Sequence, residues 1–102
     1  MGLEANMSVI VTVNLQVKPE SVDAAIKWLD KNLADTRAFE GFQHLDICQN
    51  EEDPTKFVFY EMWETKAHYE KYLAWRQEGS IAGLAETLAG DIDIQFYNRV
   101  DV

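Results

Sequence analysis

Glu61, Trp63, Asn14 and two histidines are the residues through which this chain could run chemistry. Glu61 stands inside Phe57-Val-Phe-Tyr-Glu-Met-Trp63, the most strand-like run of the sequence. Alternate residues of a strand share a face, so Glu61 goes with Phe59 and Trp63, toward the apolar side. A carboxylate there is either a general base, its pKa raised by desolvation, or the partner of an arginine such as Arg37 or Arg99. Asn14 interrupts a β-branched run. Asn is disfavoured in strands, so it reads either as a ligand-binding group or as a solvated strand residue. Trp63 at a strand end is either pocket wall or ordinary core. His44 and His68 are the only histidines. Both suit general base chemistry, but His68 falls on a helix surface, which leaves His44 as the stronger candidate.

Other chemistries lack their residues. Two histidines on separate elements do not have metal-ligand spacing, and the carboxylates share no motif. There is no Gly-rich phosphate loop and no nucleophile elbow. Cys48 is the sole cysteine; it reads as a small strand side chain, and a chain without a disulfide framework is expected in the reducing cytoplasm.

The elements that must carry these residues follow from hydrophobic period. Residues 8–17 alternate, with Val11, Val13, Leu15 and Val17 on one face and Thr12, Asn14 and Gln16 on the other, which predicts a strand. Lys18-Pro19-Glu20-Ser21 breaks it and caps a helix in which Val22, Ala25, Ile26, Leu29 and Leu33 recur at helical spacing up to about Phe39. Gly41 ends that segment. Residues 42–49 alternate, Asn50 to Pro54 form a turn, and residues 56–64 complete a hairpin. Thr65 has the chemistry to cap a second helix, whose stripe includes Ala67, Tyr69, Tyr72, Leu73 and Trp75. These aromatics read as core, with Tyr72 able to edge a cavity lying between helix and sheet. Gly79 interrupts, a helical period resumes through Leu88, Gly90 stops it, and Ile92, Ile94 and Phe96 predict a fourth strand ending near Val100. The order β-α-β-β-α-β is the split ferredoxin-like plan, an antiparallel α+β sheet with both helices on one face.

Length and charge bound the rest. The 102 residues are one domain's worth. A formal net charge of −9 without any Lys/Arg cluster argues against nucleic acid and against an anionic membrane surface. No apolar stretch reaches a spanning length. Residues 1–7 read as an N-terminal extension, since Met7-Ser8 directly precedes the first strand, and residues 8–102 read as the domain. The sheet face opposite the helices is largely uncharged and needs cover, so a homodimer through that face is expected, closing into a dimeric α/β barrel.

The stretch Phe57-Val-Phe-Tyr-Glu-Met-Trp-Glu-Thr-Lys-Ala-His-Tyr-Glu-Lys-Tyr-Leu, with Asp53-Pro54 upstream, Gly41 before the second strand and Lys18-Pro19 after the first, resembles the antibiotic biosynthesis monooxygenase family. The resemblance runs from about Ser8 to Val100. It implies the ferredoxin-like fold, the dimeric barrel, and an oxygenase that works without metal, flavin or other cofactor on a small aromatic phenol or quinol. It further implies Asn14 and Trp63 as the catalytic pair; the residue reading adds His44 to them as a candidate base and expects Phe59, Glu61 and Tyr72 to bind substrate. Some members carry a second Asn four residues before the Trp, where this chain has Phe59. The haem-degrading members place an iron-binding His near Ala82, and no His follows His68 here, so haem chemistry is not expected. The family also contains an isomerase and members without known reactions. A non-oxidative, isomerase-like enzyme and a non-catalytic dimeric binding protein are therefore the alternatives.

Overall fold

Alternation, capping and glycine placement translate directly into elements. The computed structural model describes residues 8–102; the expected extension at residues 1–7 lies outside the described residues. Strand β1 spans Val9–Gln16, helix α1 Val22–Arg37, β2 Phe42–Gln49, β3 Lys56–Trp63, helix α2 Lys66–Trp75 and β4 Asp93–Asn98. A single 3₁₀ turn at Pro19–Ser21 leads into α1, and a short helix α3, Ala82–Ala85, precedes β4. The Thr65 hydroxyl caps α2 by accepting the His68 backbone N–H at 3.1 Å. Gly41 takes φ +87°, the left-handed conformation that lets the chain turn from α1 into β2; a side chain at this position would also meet the His68 ring.

The strands form one antiparallel sheet in the order β2-β3-β1-β4. Central β1 pairs with β3, Val9 opposite Trp63 and Asn14 opposite Val58, and on its other side with β4, Val9 opposite Asn98. Its inner face is almost wholly apolar: Val9, Val11, Val13 and Leu15 are buried, together with Phe57, Phe59 and Trp63 of β3. Against this face pack Ala25, Leu29 and Leu33 of α1 and Tyr69 and Tyr72 of α2. Ile26, expected in the α1 stripe, is instead exposed.

The expected dimeric barrel is corrected by the sheet itself. It is open: β2 and β4 stand at opposite edges, three strand spacings apart, and pair only with β3 and β1 respectively. Strands lie about 4.8 Å apart, and a closed barrel just wide enough to be filled by side chains takes about eight of them, so four strands cannot curl round to join their edges. The ferredoxin-like sheet with helices on one face stands; closure does not.

Candidate active site

Between the inner sheet face and the helices lies an apolar cavity of about 50 Å³. Val13, Leu15, Leu29, Leu33, Phe59 and Ile94 belong to its apolar wall; Glu61, Arg76, Tyr69, Tyr72 and Thr36 bring polar groups to it. Glu61 reaches it because alternation in β3 turns every second residue inward, and it is only 3% exposed. One carboxylate oxygen, Oε1, accepts the Trp63 indole N–H at 2.9 Å. Among the described residues this is the carboxylate's only side-chain hydrogen bond. Burial pushes the Glu61 pKa up to about 7, against the opposing pull of the indole N–H and of the Arg76 charge.

Arg76 follows the last turn of α2, where the helix widens. Residues Arg76–Ser80 form a π turn closed by the Ile81 N–H on the Arg76 carbonyl at 3.1 Å. Its guanidinium is 1% exposed and stacks against Trp28, Tyr72 and Trp75 at 5.2, 5.4 and 4.9 Å. Nε donates to the Tyr72 hydroxyl, and Nη2 donates to Thr36 Oγ1 and to the Asn32 carbonyl, each at 2.8 Å. Thr36 and Tyr72 are joined by a 2.8 Å hydrogen bond. The Tyr72 phenol is held above its ordinary pKa by burial despite these bonds, and that of Tyr69 is raised by burial and by the neighbouring Glu61. No acidic side chain among the described residues is within ion-pair distance of Arg76. The partners expected for Glu61, Arg37 and Arg99, do not reach it; the indole two residues along its own strand does.

Trp63 is completely buried and stands behind Glu61, outside the cavity wall, in an aromatic cluster with Phe42, Tyr69 and Tyr72 at centroid distances of 5.6, 5.6 and 5.1 Å. Phe59, Glu61 and Tyr72 are brought together at the cavity. Asn14 and His44 are not. Asn14 is exposed on the other face of the sheet, at a surface hollow with Cys48, Gln49 and Val58. His44 is exposed on that same face and bonded to Asp46 at 2.8 Å. Sequence reasoning misses Arg76, although one signal is present: it falls at i, i+3, i+4, i+7 with Tyr69, Tyr72 and Leu73, a cation continuing an apolar stripe. Among the described residues no group of His, Cys, Asp and Glu side chains is gathered for a metal ion, and no helix is long and apolar enough to cross a membrane.

Glu61 makes folding pH-dependent. Its pKa is 4.5 by reference and about 7 in the fold, so the native state prefers the protonated form. That preference is complete below the reference value and is lost as pH rises through the folded value, on the order of 3 kcal/mol in all. Urea unfolding at pH 5 and pH 8 is expected to show this loss in the parent chain and not in Glu61→Gln; equal losses in both would assign the dependence to other groups.

Comparison with known proteins agrees with this architecture. Residues 8–79 match the family model described as antibiotic biosynthesis monooxygenase. A conserved protein of known structure from Methanosarcina mazei Go1 superposes with a TM-score of 0.85 at 21% identity, covering 98% of this chain and 100% of its own. A candidate antibiotic biosynthesis monooxygenase from Nitrosomonas europaea does so at 0.75 and 27% identity, over 93% of this chain and 92% of its own. A further antibiotic biosynthesis monooxygenase reaches 0.82 at 20% identity, over 91% and 99%. No protein with a curated description matches. With the family model spanning most of its length, the chain belongs to the antibiotic biosynthesis monooxygenase family.

Proposed function

We propose that this protein oxidises a small aromatic phenol or quinol with molecular oxygen in the cavity between sheet and helices, without a cofactor. The observation that supports the reading is that Glu61 and Arg76 line the same apolar cavity. At neutral pH a substantial fraction of Glu61 is ionised and can take the phenol proton. Arg76 offsets the negative charge that then develops on the substrate oxygen. The electron-rich phenolate gives an electron to oxygen, the radical pair joins at a ring carbon as a peroxide, and loss of water leaves a quinone. One oxygen atom stays in the product and the other departs in water, with both electrons to reduce it coming from substrate. An aromatic ring needs about 150 Å³, so binding must enlarge the cavity. The π turn that carries Arg76 is the wall segment with the least regular backbone, and a side chain added at its Gly79 would meet open space. Asn14 and His44 have no part in this scheme.

The cavity's size supports a second reading, proton transfer within a small carbonyl compound by the same Glu61 and Arg76. Oxygen electrode measurements against hydroquinones and anthrone-like phenols, corrected for autoxidation, separate the two. Uptake that survives chelator is the expected result. No uptake, with exchange of carbon-bound hydrogen into D₂O, would establish the isomerase-like reading instead.

The same proposal includes self-association of the open sheet. Ile10 lies between Met62 and Tyr97 in the register, on the face away from the helices, and Tyr97 is 49% exposed. Sedimentation at micromolar concentration is expected to give twice the chain mass, reduced to one by Val58→Asp; a monomeric parent would end the idea.

A further inference from the structure

The hydrogen bonds of Arg76 leave part of its donor set over. A guanidinium carries five N–H groups in one plane. Three of them are taken at 2.8 Å by Tyr72, Thr36 and Asn32, whereas Nη1, with two hydrogens, has only the Ser80 hydroxyl at 3.4 Å. Trp28, Tyr72 and Trp75 crowd round the guanidinium, and the donors left over for a ligand are those of Nη1, which point outward in the guanidinium plane. An edge-on guanidinium is matched by a planar oxyanion.

The cavity's charge balance adds a condition. The charged or titratable groups near Glu61 are Tyr69 and Tyr72 from α2 and Arg76 from the turn after it. From α1 the polar contribution is the Thr36 hydroxyl, and from β1, β4 and the residue before β4 come the apolar Val13, Leu15, Ile94 and Ile92. Among the described residues one cation therefore serves the whole cavity. It can offset the carboxylate of Glu61 or the charge of a ligand, and in so small a space the two anions repel.

We infer that Arg76 seats a planar oxyanion, a carboxylate or a phenolate, and that Glu61 must be protonated while it is there, so that binding carries one proton into the protein. This deepens the reading of the cavity as a substrate site and rests on it. In turnover, the phenol that gives its proton to Glu61 and then lies as phenolate against Arg76 is the same state, reached from the neutral ligand.

Acetate fits a cavity of about 50 Å³, and acetamide is its neutral counterpart in shape. Both are titrated into the full chain between pH 6 and pH 9, followed by the NMR signal of the Trp63 indole N–H that Glu61 accepts. Acetate is expected to bind more weakly by about tenfold per pH unit above pH 7, and acetamide to show no such fall. Glu61→Gln is expected to bind acetate equally well across the range, which also tests the idea in a variant that keeps the hydrogen bond to Trp63. Arg76→Gln is expected to lose acetate binding at pH 6. Acetate binding that ignores pH in the parent chain, acetate and acetamide binding alike, or no acetate binding at pH 6 would each overturn the inference. The two proposals fail separately. Proton-linked acetate binding without oxygen uptake from any phenol removes the oxygenase and keeps the oxyanion seat; oxygen uptake with pH-indifferent acetate binding does the reverse.

Discussion

Glu61→Gln is expected to lower phenol-dependent oxygen uptake by about 10²–10⁴-fold, the usual contribution of a positioned base, while leaving the fold intact. The amide has the carboxylate's shape, and its oxygen can still accept the Trp63 indole N–H that Oε1 accepts in the parent chain. It lacks the ability to take a proton. Two readouts separate this from a structural defect. The variant is expected to be more stable than the parent at pH 8, because it escapes the cost of holding a buried carboxylate whose folded pKa is about 7. The parent's rate is expected to rise with pH through that same value, since ionised Glu61 is the active form. A variant that keeps more than about a tenth of the parent rate would remove Glu61 from proton transfer.

Trp63 carries the largest expected effect on stability. It is completely buried, it packs on Phe39, Phe42, Tyr69 and Tyr72, and among the described residues it supplies the one hydrogen bond to the Glu61 carboxylate. Trp63→Ala removes the ring, opens a void among four aromatics and strips the carboxylate of its donor, so chemical unfolding is expected to show a loss of about 3–5 kcal/mol. Trp63→Phe separates packing from tuning. The smaller ring retains most of the contacts but has no N–H, and the Glu61 pKa is expected to move further above 7. The rising limb of the rate profile should then move to higher pH, with stability at pH 8 falling by about 1–3 kcal/mol as the ionised group loses its partner. If Trp63→Phe leaves the midpoint of the rate profile in place, the indole does not tune Glu61.

These two expectations assign Trp63 and Glu61 different work from that implied by resemblance alone. Trp63 bonds the carboxylate from outside the cavity wall, and the cation that lines the cavity with Glu61 is Arg76. Asn14, the other member of the implied catalytic pair, lies on the far side of the sheet at a surface hollow.

The division between sequence and tertiary structure follows the range of the interactions concerned. Alternation alone determined that Val11, Val13 and Leu15 share a face opposite Asn14, and that Glu61 points the same way as Phe59 and Trp63, because side-chain direction in a strand has a period of two. Capping chemistry determined the start of α2 at Thr65, and turn residues bounded the hairpin at both strands, since these preferences act within a few residues. Which face of one strand matches which face of another is a matter of register. Only the pairing of Asn14 with Val58, and of Val9 with Trp63, put Asn14 and Trp63 on opposite sides of the sheet. Edge placement of β2 and β4, which keeps the sheet open, likewise depends on the order of all four strands. Arg76 needed the most: a π turn to direct it, three aromatic rings to stack on it, and Thr36 and Asn32 from 40 and 44 residues away to bind it. The meeting of Glu61 and Arg76 at one cavity was decided by tertiary structure because desolvation and charge compensation depend on what surrounds a group in space, and distant segments supply those surroundings only once the chain has packed.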